Sequence, residues 1–249
     1  MNPRNAVKRS IERMPAGLKA GIRRRYYRHQ ARRPGFGPEE PEMALVNELL
    51  HPGDWMLDVG AYVGHYTIPA SRRVGEAGRV IAVEPLPENF EILTSNVAAA
   101  GCPNVTLLNI AASREDRVVR MSTPSWQDGL PAPSRTQVGL NGAGTEVLAY
   151  ALDPMARLGR TRIRLVKVDV EGHEGEVLEG MLEVLAEARP AIVVEASGNH
   201  RSRGVQALGY RTVHLRGSPN VIYAEGHDLR RIEAIGGARP VQEISGHHR

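Results

Sequence analysis

An α/β fold, a mostly parallel sheet with helices on both faces, is predicted for this chain by three observations. Short apolar, β-rich runs alternate with stretches of helical periodicity from residue 55 onward, the pattern of parallel strands joined by crossover helices. The first run breaks at Gly60 and Gly64 before a helical pattern over residues 65–73. The second ends in Glu84-Pro85, with Glu84 twenty-six residues beyond Asp58. A glycine turn lets a ligand approach the backbone and aims the free N–H groups of the next helix at it. A carboxylate at the following strand tip can accept hydrogen bonds from both hydroxyls of a ribose. Either half alone is equally an ordinary β-α connection; the pair points to a nucleotide-like cofactor.

At 249 residues with 41% hydrophobic content, the chain can bury a full core and reads as one α/β domain with an appendage. No apolar run is long enough to span a bilayer, and no charged-then-apolar leader is visible, so secretion is not indicated. The single cysteine, Cys102, excludes an intrachain disulfide and agrees with a reducing cytoplasm. The net charge of +4 is unevenly spread: residues 1–33 hold 11 of the 32 Lys and Arg and one of the 28 acids, a net +10, leaving −6 for the rest. An acidic body argues against a broad nucleic-acid face.

Taken in order, Val7, Ile11, Met14, Leu18, Ile22 and Tyr26 would form one apolar stripe on a basic helix, which Pro15, Gly17 and Gly21 weaken. Docking on the domain or peripheral contact with an anionic membrane at the inner face ranks ahead of RNA for residues 1–33, because few aromatics interleave with the arginines. Residues 34–38 (PGFGP) read as a linker, dividing a basic arm (1–38) from a domain (39–249), and residues 42–50 as a short helix. Residues 79–84 are the second strand, 87–100 a helix closed by Gly101, and 104–110 a third strand stopping at Ala111-Ala112, small residues that leave room for a flat ring or simply pack closely. Residues 122–144 lose all pattern under repeated Pro and Gly and are expected to be a substrate-side flap containing Trp126. Residues 146–152 resume an extended pattern, and Asp153-Pro154 reads as a helix start.

Residues 162–168 form the fourth strand, running into Asp169-Val170-Glu171-Gly172-His173-Glu174 before a helix over about 175–187. Clustered like charges at a strand end repel, so this stretch is a site candidate. The fifth strand (191–196) brings Glu195 to the same rim; a helix (200–208) and two strands (210–215 and 221–224), joined by a short turn, make an antiparallel hairpin.

The blocks DVGAYVGHYT, VIAVEPLPENF, NVTLLNIAAS and LVKVDVEGHEGEVLEG, followed by PAIVVE, resemble the FkbM-type family of S-adenosylmethionine-dependent methyltransferases over roughly residues 42–224. The resemblance implies a Rossmann-like class I methyltransferase fold: a mostly parallel seven-stranded sheet with an antiparallel last strand. It implies S-adenosylmethionine as cofactor, with Asp58, Gly60 and Gly64 around its methionine part, Glu84 at the ribose, Ala111 and Ala112 near the adenine, and Asp169 near the amino group or the transferred methyl. Tyr62, Thr67, Pro85 and Asn89 complete the expected cofactor set. Tyr62 departs from the family, which commonly has Asn there.

The turn argues against a nicotinamide dinucleotide, because alanine follows Gly60 and no third glycine supplies a diphosphate cradle. The expected reaction is methyl transfer to a hydroxyl of a small molecule, natural product or glycan unit, with His173 as first candidate base, Asp169 second, and Glu171 in the same cluster. No metal set is assigned; Asp169, Glu171 and Glu195 point to a divalent cation such as Mg²⁺ by composition alone. A non-catalytic scaffold on the same fold stands as the reading from another class.

Overall fold

The strands at the centre of the molecule are apolar at nearly every position because both faces of their sheet are covered. The structure, a computed structural model, describes residues 16–122, 137–139, 144–156, 161–195, 202–235 and 239–240. The arm before residue 16, Trp126 with most of the expected flap, and His200 lie outside them. The main sheet runs through β1 (Trp55–Val59), β2 (Arg79–Val83), β3 (Val105–Leu108), β8 (Ile163–Val168), β9 (Ala191–Val194), β10 (Arg211–His214) and β11 (Val221–Ala224). A two-residue strand, β12 (Arg239–Pro240), extends it beyond β10.

Strand order across the sheet is β12-β10-β11-β9-β8-β1-β2-β3. The five strands from β3 to β9 are mutually parallel, and β11 inserts antiparallel between β9 and β10. The seven long strands are those expected, and the hairpin is antiparallel. The chain builds outward from β1 to β3 and then returns to β8 on the other side of β1. This reversal opens a crevice at the carboxyl ends of β1 and β8, where ligands of open α/β sheets bind.

One face packs Leu57, Val59, Val166 and Val168 under α6 (Glu174–Glu179) and α7 (Leu182–Ala188). The other packs Met56, Leu165 and Val193 under α2 (Met43–Leu49), α3 (Thr67–Val74) and α9 (Gly226–Ala234), while Ala82 meets α4 (Pro87–Ala100). Two short helices, α5 (Asp153–Ala156) and α8 (Arg203–Ala207), complete the connections. The single helix expected over 175–187 is two, broken at Gly180-Met181. A Cβ on Gly180 would lie 2.0 Å from the Ser113 carbonyl oxygen, and the Gly180 carbonyl accepts the Leu152 and Asp153 amides; this contact interrupts the helix. The Asp153 carboxylate accepts from the Glu183 and Val184 N–H groups, so it caps the first turn of α7.

A second sheet, order β4-β7-β5-β6, corrects the middle of the reading. Ala111–Ala112 is itself a strand, β4, and residues 117–122, unassigned by sequence, form β5 (Arg117–Ser122). These pair with β7 (Thr145–Tyr150), and β6 (Gln137–Gly139) shows that part of the expected flap is sheet. Alternation explains β5: Val119 and Met121 face Leu86, Ala111, Val147 and Ala149, while Val118 and Arg120 point out.

The described part of the basic arm docks through the face opposite to the expected one. Helix α1 (Ala16–Ala31) buries Ala31 and half-buries Arg23 and Tyr27, whereas Leu18, Ile22 and Tyr26 of the apolar stripe are 53%, 42% and 57% exposed. Close approach to α4 favours the small Ala31 and an edge-on Tyr27 ring, which meets Tyr62 and His65 at 6.3 and 6.1 Å.

Candidate active site

Four strands end in register, and this brings the expected residues together. Val59 pairs with both Val83 and Val168, and Val168 pairs with Val194. The residues that follow are therefore neighbours at one rim: Gly60, Glu84, Asp169 and Glu195. Their amides stay in the ladder, with Gly60 N–H on the Val83 carbonyl, Asp169 N–H on Val59 and Glu195 N–H on Val168, each at 2.9 Å, so only side chains turn into the crevice. A cavity of about 430 Å³ opens there, lined by eleven of the expected residues: Asp58, Gly60, Tyr62, Glu84, Pro85, Asn89, Ala111, Ala112, Asp169, Glu171 and His173. That size suits a small-molecule cofactor.

Gly60 makes the crevice. Its φ is +84°, and a Cβ there would lie 1.8 Å from the Asp169 carbonyl oxygen, so any side chain would force β1 and β8 apart. Gly64 and Thr67 act from behind the wall. Gly64, at φ +94°, lets Leu93 of α4 approach to 3.0 Å from its would-be Cβ. The Thr67 hydroxyl donates to Asp58 Oδ2 at 2.5 Å, holding that carboxylate, 2% exposed, in the cavity wall. Burial raises the Asp58 carboxyl to about 6 although Thr67 and Lys167 oppose the rise.

Glu84 is 4% exposed and held by three donors: Tyr62 N–H to Oε2 at 2.8 Å, and Leu86 N–H and Asn89 Nδ2 to Oε1 at 3.0 and 3.3 Å. A carboxylate offers about four acceptor sites, so lone-pair capacity remains on Oε2 for an incoming hydroxyl. Burial pushes Glu84 up to about 7, against these donors. Tyr62 sits at φ +50°, a left-handed conformation that costs a tyrosine backbone energy and that Asn adopts far more readily, and its amide is set on Glu84. Leu86, Ala111, Met121 and Val138, which pack as one apolar cluster, also line the cavity. Met121 and Val138 come from the second sheet; Val138 falls within the expected flap, whereas Met121 carried no sequence signal.

At the other end lies an acid–base cluster. Lys167, 3% exposed, donates from Nζ to Asp169 Oδ2 at 3.0 Å and stands 5.2 Å over the Tyr66 ring. Burial opposes its charge, but Asp169, Asp58 and Glu195 keep it protonated. Burial would likewise raise Asp169, yet Lys167 and a hydrogen bond from Glu195 hold it below the usual range. That hydrogen bond, then burial and the Asp169 charge, drives Glu195 up to about 8, so the pair shares one proton near neutrality. Lys167 was passed over because a lysine inside an apolar strand run gives no periodic signal; its register with Asp58 supplies the reason for its place. His173 Nε2 lies 3.2 Å from Ser113 Oγ, and the same oxygen accepts from Arg117 Nη2 at 3.3 Å. Burial lowers the His173 pKa, with Arg117 and Arg114 assisting against nearby glutamates, so the ring is neutral at neutral pH.

Residues 58–232 match the sequence model of the methyltransferase FkbM domain. The chain belongs to this family. Among curated relatives, it is 29% identical over 156 residues to a hexuronic acid methyltransferase of Haloferax volcanii, covering 62% of this chain and 61% of that protein. A protein-L-isoaspartate O-methyltransferase of Archaeoglobus fulgidus is 34% identical over 79 residues, 30% of this chain and 37% of that one. The chain thus spans less than two thirds of the length of each of these relatives. Of solved structures, a methyltransferase FkbM from Methylobacillus flagellatus aligns with 84% of this chain and 60% of its own, at TM-score 0.45 and 14% identity.

S-adenosylmethionine is the cofactor of this FkbM domain, and the residues present fit it. Gly60 keeps the crevice clear of side chains, Glu84 keeps acceptor capacity at the rim, the apolar cluster in the lining suits a flat ring, and Asp58 with Asp169 provides carboxylates for an ammonium group.

Proposed function

We propose that the protein transfers the methyl group of S-adenosylmethionine to a hydroxyl oxygen of a small molecule, natural product or glycan unit. One observation carries the choice of acceptor. Among the described residues, the cavity is lined by six carboxyl groups (Glu40, Asp58, Glu84, Asp169, Glu171 and Glu195) and by Lys167 alone among Lys and Arg. Such a lining favours a neutral reacting group over an anionic one. The likeness to a hexuronic acid methyltransferase makes a uronic-acid-bearing glycan the first acceptor to test.

The bound cofactor supplies a methyl group already activated on a sulfonium. The residues of the chain align the acceptor oxygen in line with it and remove the proton as the new C–O bond forms. Glu84 holds the ribose, and Asp58 and Asp169 hold the amino end. His173 takes the proton: it lines the cavity, is neutral, and has its ring fixed by Ser113. Asp169, held ionised by Lys167, is a weak base suited to binding. Replacing His173 by Ala should remove turnover while S-adenosylmethionine still binds; full turnover in that variant would end this assignment.

A divalent cation has no part in this reading. Asp169, Glu171 and Glu195 bring ligand atoms within 4.8 Å of one another, but a divalent cation there would have to displace the Lys167 ammonium from Asp169 Oδ2.

A second proposal concerns where the protein works. Leu18, Ile22 and Tyr26 stand exposed in one line on α1 beside exposed Arg24, Arg25 and Arg28, and no acid occurs between residues 13 and 38. That face suits peripheral contact with an anionic membrane. Among the described residues no helix is long and apolar enough to cross one. Equal sedimentation with anionic liposomes by the wild type and by a variant with Leu18, Ile22 and Tyr26 all changed to Ser would sink the idea.

A further inference from the structure

The inner face of α1 reaches the cofactor cavity through one side chain. Arg23 Nη2 donates to the Tyr62 hydroxyl at 2.9 Å and to Asn89 Oδ1 at 3.0 Å, and its guanidinium lies 5.3 Å from the Tyr62 ring centroid and 5.9 Å from that of Tyr27. Both recipients line the cavity, and both also donate to Glu84: Tyr62 through its backbone amide and Asn89 through Nδ2. We infer that α1 is part of the cofactor site and that Arg23 is its positioning residue, holding Tyr62 and Asn89 so that both point their donors at Glu84.

The chemistry of each partner supports this. An asparagine amide has one acceptor end and one donor end. A cation on Oδ1 fixes which end is which, so Nδ2 is the end presented to Glu84. Tyr62 occupies a left-handed backbone conformation that a tyrosine disfavours; its amide stays on Glu84 only while the side chain is held elsewhere. Arg23 supplies that hold through the phenol oxygen, and the Tyr27 and His65 rings, at 6.3 and 6.1 Å from the Tyr62 ring, close around it. Two hydrogens on one nitrogen serve two residues that flank the same carboxylate. An arm that sequence alone sets apart from the domain thus helps to shape the ribose end of the site.

This inference rests on Glu84 being the ribose carboxylate, so the experiment includes a direct test of that residue. S-adenosylmethionine and its demethylated product are titrated calorimetrically into the full chain as wild type, Arg23→Met, Arg23→Lys and Glu84→Gln, with melting temperatures of the ligand-free proteins. Arg23→Met keeps the length of the stem and removes the donors; it should weaken binding of both ligands by about tenfold. Turnover at saturating cofactor should fall far less. The ammonium of Arg23→Lys still offers hydrogens to both oxygens and should restore most of the affinity. Tyr62→Phe should weaken binding alone but add less in the Arg23→Met background, since both remove the Arg23–Tyr62 bond and Tyr62→Phe loses in addition only the hydroxyl's contact with Tyr27. If Glu84→Gln loses affinity while Arg23→Met binds as wild type, the inference about Arg23 is overturned and the reading of Glu84 stands. If Arg23→Met loses affinity and Glu84→Gln does not, the route through Glu84 is wrong. Equal losses in affinity and melting temperature for Arg23→Met and Arg23→Lys would show a structural role only.

Discussion

Gly60→Ala should be the most damaging glycine-to-alanine change among the described residues, and its cost can be worked from the geometry. At φ +84° an L side chain costs roughly 1–2 kcal/mol. The added Cβ would sit 1.8 Å from the Asp169 carbonyl oxygen, whereas an ordinary C···O contact is about 3.3 Å. The end of β8 must therefore retreat by about 1.5 Å, which breaks the Asp169 N–H bond to Val59 and costs about 1 kcal/mol. Displacing packed backbone adds roughly 1–3 kcal/mol. The total, about 3–6 kcal/mol, is a large share of the stability of an ordinary domain. Gly53→Ala is the control: its φ is +92° but nothing lies within 4 Å of its Cβ, so only the conformational cost applies. Urea unfolding should separate the two variants by at least 2 kcal/mol, and Gly60→Ala should lose S-adenosylmethionine binding under conditions where it is still folded. Equal unfolding curves, or normal cofactor binding by Gly60→Ala, would refute the close approach of β1 and β8.

Other outcomes are expected as follows. Because Glu84 must be ionised to accept ribose hydroxyls and its pKa is up at about 7, cofactor affinity should rise about tenfold between pH 6 and pH 8. In Glu84→Gln that dependence should shrink to the smaller part that Asp58 and Glu195 contribute; a tenfold dependence kept by the variant would place the titrating group elsewhere. Stability runs the other way: a carboxyl with a raised folded pKa contributes fully below its unfolded value of about 4.5 and the contribution is lost as pH rises through 7, a change of roughly 3 kcal/mol for Glu84. Without cofactor the protein should therefore unfold more easily at pH 8 than at pH 6, and S-adenosylmethionine should narrow the difference. Thr67→Val removes the hydrogen bond to buried Asp58 and should destabilise by about 1–3 kcal/mol at pH 7.5, less at pH 5, as read from urea midpoints. Turnover should survive a strong divalent chelator; loss restored by Mg²⁺ would return Asp169, Glu171 and Glu195 to consideration as ligands.

The parallel core was legible because each of its strands is an apolar run and each crossover has helical periodicity; Trp55–Val59 and Ile163–Val168 read from the chain almost as they fold. The rim was legible for the same reason, since Gly60, Glu84, Asp169 and Glu195 follow strand ends that pair in register. What sequence missed is what register and packing decide. Arg117–Ser122 carries two arginines in six residues and became a strand only through its partner β7. The break at Gly180 answers a contact with Ser113, 67 positions earlier in the chain. Lys167 looked like one polar residue in an apolar run, and only its register with Asp58 and its reach to Asp169 give it a role. Leu18, Ile22 and Tyr26 form the stripe expected, yet it faces outward, because a periodic pattern does not say which neighbour will cover it.

The measurement that tests methyl transfer to a hydroxyl most directly uses S-adenosylmethionine carrying a ¹³C-methyl group. Uronic-acid-bearing glycans are offered to the wild-type protein twice, with their carboxyl groups intact and after reduction to alcohols, and the product is followed by NMR before and after mild alkali. The account predicts a labelled methyl ether, formed on the intact and the carboxyl-reduced glycan and stable to alkali, and absent with His173→Ala. Label released as methanol by alkali, and never transferred to the carboxyl-reduced glycan, would show a carboxylate acceptor and contradict it.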